Sequence, residues 1–267
     1  MLPRRYSAVI ALSLAFVLPS CSSSGSPHGK KRAPNSTSAA SPAAQGTRVD
    51  AATLAKRLET GIGSISSAHF TINAKIAGRA ISGTGDQEVD AGKLTALDAK
   101  ATLPGGLGDV ELLVAASQTY AKLPKGLSTG TKPWTAVTAS SSNPIVSQLA
   151  SFTSTALAAA SLGNLAPVAG AATDVRDLGP AMTSGIPTTH YRITVDPTRL
   201  PADVTANGGL GTASIPADLY VDESGRPIKI RVALSVVGSP TDATIEFSKF
   251  GAPVTITAPP ADQIATG

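Results

Sequence analysis

The chain has 267 residues, of which 42% are hydrophobic and only 15% are charged, and it contains one cysteine. This length suffices for one sizeable domain, and a single cysteine excludes an intramolecular disulfide. The formal net charge is +4, from 22 basic and 18 acidic residues. Five of those basic residues and no acidic ones precede residue 47, so the remainder has 17 basic against 18 acidic residues. This near-neutral body gives no charge argument for nucleic-acid binding.

The N-terminus has the organisation of an export signal. Arg4 and Arg5 precede an apolar run at residues 8–18, which is too short to span a bilayer and has the length of a signal-peptide core. The leucine three positions before Cys21 and the serine just before it resemble the bacterial lipobox. We therefore predict a lipoprotein signal peptide at residues 1–20 and a diacylglycerol anchor on Cys21, at the extracytoplasmic face of the cell membrane. An ordinary secretory signal that leaves a free thiol is the alternative.

Residues 21–46 are rich in Ser, Pro, Ala and Gly. Such a composition cannot build a core and predicts a flexible tether after the lipidated cysteine. Its one charged group comprises Lys30, Lys31 and Arg32. These three residues could contact anionic headgroups close to the anchor or serve solubility alone.

Residues 47–267 are predicted to form a single domain that opens with an amphipathic helix at 49–65. Asp50 is placed to cap this helix, and leucines and isoleucines follow at helical spacing. The period then changes to two, as in the run that begins at Phe70. Alternating or β-rich runs predict strands at 70–76, 80–89, 93–103, 109–116 and 118–123.

The middle of the chain predicts a second helix at 144–162. Asn143 and Pro144 suit its first positions, and Gly163 is its expected stop. A short helix is expected at 197–206, and a hairpin turn at 223–226. The later strands are predicted at 190–195, 217–222, 228–237 and 243–250.

The predicted fold class is α+β, with a curved antiparallel sheet of about nine or ten strands covered by two to four helices. One-sided strands need a cover for their apolar face. A curved sheet under a few helices provides one and readily leaves a gap in which a small ligand binds.

Catalytic patterns are weak throughout. His28 lies in the tether, and His69 and His190 each stand near the start of a strand, opposite its apolar face. Neither has a second ligand at a metal-binding spacing, and the sequence holds no nucleophile elbow, phosphate loop or dinucleotide fingerprint. We therefore predict no catalytic residues, no metal and no cofactor. A hydrolase whose carboxylates are assembled only by folding remains a minor alternative.

Four segments together resemble a known family. They are SAHFT at 67–71, GIPTTHYRITV at 185–195, IPADLYVD at 215–222 with Gly225 closing the hairpin, and FSKFGAPVTITAPP at 247–260. In this order and spacing, and with the lipidated N-terminus, they are similar to the LppX/LprG-type lipoproteins of actinobacteria (the LppX–LprAFG family). YAKL at 120–123 and KPW at 132–134 look more like other actinobacterial members than like the founding ones.

The resemblance implies a LolA-like half-barrel sheet packed against helices, with a cavity for acylated lipids. It also implies that the protein helps to move such lipids across the envelope, in company with an envelope lipid exporter, and it brings no catalytic motif.

The main hypothesis is therefore lipid or glycolipid carriage by an anchored, non-enzymatic domain. The alternative is an interaction or sensing module with a filled core. For each aromatic residue, a place in an ordinary core and a place in a cavity wall both stay open. The cavity candidates are Phe70, Ile72, Leu112, Tyr120, Leu149, Phe152, Tyr191 and Tyr220.

Overall fold

The computed structural model describes residues 46–76, 78–103, 106, 108–125, 131–138, 161–200, 213–236 and 239–265. The chain divides into Met1–Ser41 and Pro42–Gly267, and the described residues all belong to the second unit. The signal peptide, the tether up to residue 45 and most of the helix predicted at 144–162 therefore lie outside the described residues.

Helix α1 spans Ala51–Gly63, inside the predicted range. The Asp50 carboxylate accepts a hydrogen bond from the Thr53 backbone N–H at 3.0 Å, so the predicted cap is confirmed. Leu54, Leu58 and Ile62 are spaced by four residues and are at most 2% exposed. This apolar stripe docks α1 on one side of the sheet.

In the described part of the chain, thirteen strands form one sheet. Its order is β1-β8-β9-β10-β11-β12-β2-β3-β4-β5-β6-β7-β13, and all neighbouring pairs are antiparallel except β13 with β7. The strands are β1 Thr47–Arg48, β2 Ser67–Ile76, β3 Arg79–Asp90, β4 Lys93–Leu103, β5 Gly108–Ala115, β6 Gln118–Lys122, β7 Trp134–Ala136, β8 Ala172–Thr183, β9 Ile186–Val195, β10 Ile215–Asp222, β11 Pro227–Val236, β12 Ser239–Ser248 and β13 Ile264–Ala265.

The antiparallel sheet with few helices confirms the predicted fold class, although the strand count exceeds the expected nine or ten. Three of the additional strands, β1, β7 and β13, have only two or three residues each. The fourth, β8, is long but irregular, because its register shifts twice and it contains Gly179 and Pro180. Glycine and proline weaken the strand pattern in a sequence, which explains why β8 was missed.

The region after residue 160 corrects one prediction. Gly163 does not stop a helix; it lies inside the short 3-10 helix Leu162–Asn164, which leads directly into helix α2, Leu165–Gly170. Only glycine fits at position 163, because a Cβ there would lie 1.9 Å from the Gly92 carbonyl oxygen. The expected helix at 197–206 begins as the 3-10 turn Pro197–Arg199, and residues 201–206 lie outside the described part.

The two sides of the sheet differ in character. The helix side, which α1 covers, contains the buried cluster of Phe70, Phe247, Leu97, Tyr191 and their neighbours. The opposite side, here called the outer side, contains most of the charged side chains of the strands. Ladder register decides the side of each residue, because directly paired residues of neighbouring strands point the same way.

The C-terminal segment returns across the sheet. Gly251 N–H donates to the Ser67 carbonyl at 2.9 Å, and the Ser67 hydroxyl donates to the Ala252 carbonyl at 2.5 Å. From there the chain must pass β2 to β6, because β13 pairs with β7. Leu113 and Ala115 point to the outer side by register and are only 6% and 4% exposed.

Candidate functional site

The helix side is tightly packed under α1. Phe70 and Tyr191, both proposed as cavity residues, are 2% and 5% exposed there and belong to the buried cluster. The Tyr191 hydroxyl accepts a 2.9 Å hydrogen bond from the Arg57 guanidinium, which also donates to the Asp222 carbonyl at 2.8 Å. Both aromatics therefore form the floor on which α1 rests, and a ligand at their level would have to displace the helix.

The part of the helix side that α1 does not cover is partly exposed, and its side chains are still apolar. Ile72 and Leu112, two further candidates, are partly buried and pack against the edge of the core. Most of their neighbours are small, so the sheet forms a shallow surface with low walls. We call this the apolar band; its members are Ile72, Ala74, Ala99, Ala101, Val110, Leu112, Val232 and Ala243.

Register accounts for the band. Val232 pairs with Ala243, and Ala243 pairs with Ala74 on the next strand. Ile72 pairs with Gly83, and Gly83 pairs with Ala101. Sequence reasoning named only Ile72 and Leu112 of the band as cavity candidates, because the strand order that brings the other members to the same side is not visible in the sequence.

Two of the proposed cavity residues lie on the other side of the sheet. Tyr220 pairs with His190 and stacks on its ring, with centroids 4.3 Å apart and planes at 11°. Tyr120 pairs with Leu113, which pairs with Asp98 on the outer side. The structure therefore brings Phe70, Ile72, Leu112 and Tyr191 to one side and separates the two tyrosines from them. Leu149, Phe152 and Cys21 lie outside the described residues.

Both strand histidines point to the outer side, each bound to an aspartate. His69 Nδ1 lies 2.8 Å from Asp86 Oδ1, and its Nε2 lies 3.0 Å from the Thr84 hydroxyl. This order of hydroxyl, imidazole and carboxylate matches that of a hydrolase triad. The Thr84 hydroxyl also donates to the Phe70 carbonyl at 3.2 Å, which ties it to the sheet. The three side chains lie on the neighbouring strands β2 and β3, so their contacts form a cross-strand network.

Folding also gathers carboxylates, as the minor hydrolase alternative required. Asp86 and Asp98 are paired neighbours on β3 and β4, and Glu111 lies on β5. Partial burial raises the pKa of Asp98, and the charges of Glu111 and Asp86 raise it further. Asp109 is the opposite case, since hydrogen bonds from Lys100 and Thr102 lower its pKa.

We expect Asp98→Asn to stabilise the domain at pH 7 and to have little effect near pH 3. A carboxyl whose pKa is higher in the folded state opposes folding once the pH exceeds its unfolded value, and the amide removes that opposition. Because Asp98 remains partly exposed, the gain in melting temperature should be about 1–2 °C. The measurement is thermal unfolding across pH, with Asp109→Asn as the matched control, which should be destabilising at pH 7. Equal effects of Asp98→Asn at both pH values would contradict the assignment.

Cavities lie on both sides of the sheet. A groove of about 590 Å³ runs between α1, α2 and the β3–β4 turn, lined mainly by small residues such as Ala55, Gly92 and Ala166. A second cavity, of about 430 Å³, lies on the outer side over β10 to β12, β2 and β3. Its lining combines polar and charged side chains with Ala74, Ala80 and Ile81.

Among the described residues, no group of three or more His, Cys, Asp or Glu side chains could hold a metal ion. In the same part of the chain, no helix is both long and apolar enough to cross a membrane.

Comparison with known proteins gives results at the level of structure. No family model matches the chain, and no curated protein matches it. Among solved structures, the lipoprotein LppX of Mycobacterium tuberculosis is similar at a TM-score of 0.49, with 17% identity over 77% of this chain and 97% of that one. LprF of Mycobacterium bovis is similar at 0.48, with 15% identity over 78% and 96%.

A LolA superfamily protein of Nitrosomonas europaea is similar at a TM-score of 0.28, with 9% identity over 80% of this chain and 96% of that one. The solved structures that are similar to this chain thus include two lipoproteins and a LolA superfamily protein, each at a TM-score below 0.5.

Proposed function

We propose that this protein is a membrane-anchored lipoprotein that binds an acylated lipid or glycolipid and helps to transfer it across the cell envelope. The observation that carries the proposal is the apolar band, a half-exposed row of small and branched side chains on the helix side of the sheet. The family resemblance of the sequence supports lipid as the ligand, and an envelope lipid exporter is the partner that it implies.

The chemistry of the band suits acyl chains. Each buried methylene contributes about 0.8 kcal/mol, so long chains bind without specific polar contacts. The alanines of the band leave room above the backbone for a chain to lie flat, while Ile72, Leu112 and Val232 provide apolar walls. Phe70 and Tyr191 then support the site from the packed floor beneath α1.

The anchor on Cys21 would hold the domain near its source of lipid. The tether from residue 22 to 46 has 25 residues, and a flexible chain of that length has a root-mean-square span of about 25–30 Å. The domain could therefore turn toward the membrane that holds it or away from it. Carriage of this kind needs no bond-making step, in keeping with the prediction that the protein is not an enzyme.

Mass spectrometry tests both parts of the proposal on one sample. The full chain, purified from membranes in detergent, should begin at a diacylglycerol-modified Cys21, and its organic extract should contain acylated lipid in about stoichiometric amount. An unrelated lipidated protein taken through the same purification gives the background of adventitious membrane lipid. Lipid no higher than this background would leave the interaction-module alternative as the better explanation, whatever the state of Cys21.

A further inference from the structure

The cavity on the outer side has a built arrangement of polar side chains. Its floor is a row of short side chains on neighbouring strands, in which Thr244 pairs with Asn73 and Asn73 pairs with Ser82. Longer side chains border this floor. They are Arg231, which pairs with Thr244, Lys229 and Tyr220 on one flank, and Lys75 and Asp242 on the other.

Of the described cationic side chains that line this cavity, one forms an ion pair and two do not. Lys229 Nζ is held by Glu246 at 2.8 Å. Within the described part of the chain, neither Lys75 nor Arg231 forms an ion pair, although Asp242 faces Lys75 across the ladder. Three cationic side chains thus line the cavity against one carboxylate.

The carboxylate closest to Arg231 by register is already engaged. Asp218 pairs with Arg231 in the ladder, but its Oδ1 is bound by His190 Nε2 at 2.9 Å and by Arg192 Nε at 3.0 Å. His190 also stacks on Tyr220, which fixes the cavity wall on that flank. Arg231 is therefore left exposed, with its planar fork of donors available beside the cavity.

We propose that this cavity binds a phosphate-type anionic group, either free or as the headgroup of a lipid. A tetrahedral anion would accept hydrogen bonds from Arg231, from Lys75 and from the hydroxyl or amide groups of Thr244, Ser82 and Asn73. Charge-assisted bonds of this kind are the strongest that a surface site offers.

This site is independent of the proposed lipid carriage. The side chains that define the apolar band and the outer cavity point to opposite sides of the same strands, since Val232 and Ala243 point to one side while Arg231 and Thr244 point to the other. Ala74 of the band also borders the cavity, but the residues changed in the two tests are different. The two sites can therefore be tested, and can fail, separately.

The first arm of the test uses a soluble probe. Isothermal titration of the detergent-purified full chain with inorganic phosphate, against chloride of the same ionic strength, measures binding directly. Arg231→Gln and Lys75→Gln should each weaken it about tenfold. Arg79→Gln is the control, because it removes an exposed cation of the same sheet that by register points to the helix side and does not line the cavity.

The second arm distinguishes a headgroup from a free anion. The full chain is anchored in phosphatidylcholine vesicles, and capture of separate fluorescent vesicles containing phosphatidylglycerol is measured. Phosphate binding without capture assigns the site to free anions, and capture without phosphate binding assigns it to headgroups; both support the proposal when Arg231→Gln reduces the signal and Arg79→Gln does not. No signal in either arm, or an equal loss with Arg79→Gln, overturns it.

Discussion

Replacing Ala243 with tryptophan is expected to leave the domain folded and to remove most of its bound lipid, by about tenfold or more. Ala243 lies in the middle of the apolar band, between Val232 and Ala74, and is only partly buried. An indole at this position would occupy the space above the neighbouring alanines in which an acyl chain would lie. Each displaced methylene costs the ligand about 0.8 kcal/mol, so loss of two methylene contacts already exceeds a tenfold change in affinity.

The adjacent strand provides a matched control. Ala233 is exposed on β11, pairs with Asp242 and therefore points to the outer side, where it lines neither cavity. Ala233→Trp adds the same indole to the same pair of strands but on the opposite side. It should leave the extracted lipid unchanged.

The measurement is the molar ratio of extracted lipid to protein for the wild type and the two variants. Thermal unfolding of each sample checks that the fold is intact. A folded Ala243→Trp protein that retains its full lipid content would remove the band as the binding surface. Equal losses in both variants would indicate that lipid associates with the protein without a defined site.

The alternating strands were predictable because their cause is local. The run from Phe70 to Ile76 alternates apolar and polar residues. Helix α1 is recognisable from its N-cap residue Asp50 and from its apolar stripe. Such patterns depend on the geometry of a single element. Element boundaries for β4 and the β10–β11 hairpin therefore agreed closely with the structure.

The side of each site residue was harder to predict, because it depends on how strands pair. Tyr120 and Tyr220 were expected near the cavity. Successive residues of a strand point to opposite sides of the sheet. Each of the two tyrosines stands next to residues that point to the apolar side, so its own side chain points to the other side. In β10 the phase was readable from Leu219 and Val221, which flank Tyr220 and are buried. In β6 a strand of five residues gave too short a pattern.

The outer cavity could not have been found from sequence alone. Its residues come from five strands spread between Asn73 and Thr244, and none of them forms a motif with its neighbours in the chain. Strand order alone places β12 beside β2 and so brings Thr244 next to Asn73. Long-range pairing of this kind leaves no local trace in the sequence.

Replacing Gly61 with alanine is expected to destabilise the domain by about 2–3 kcal/mol. In an isolated helix the same change would be favourable, since glycine costs about 1 kcal/mol relative to alanine. Here a Cβ on Gly61 would lie 2.2 Å from the carbonyl group of Gly225, in the β10–β11 turn. The backbones of α1 and of the turn cannot separate without losing other contacts, so the clash outweighs the gain in helix propensity.

Gly63 is the control, two residues along the same helix. A Cβ there meets no atom within 4 Å, so Gly63→Ala should be neutral or stabilising by up to about 1 kcal/mol. Chemical unfolding of the two variants and the wild type measures the difference. If Gly61→Ala were as stable as Gly63→Ala, α1 would not be docked on the turn as described.

The contact has a consequence for ligand entry. Gly225, with φ of +83°, would itself place a Cβ 2.3 Å from the Arg57 carbonyl, so helix and turn touch through backbone at both glycines. Arg57 further bonds Tyr191 and the Asp222 carbonyl from α1. Because α1 is held this closely, the proposed acyl chains would have to enter beyond the helix, over the apolar band. A Gly61→Ala protein that remains folded should therefore lose stability while keeping its lipid. The Ala243→Trp protein should instead keep its fold and lose its lipid.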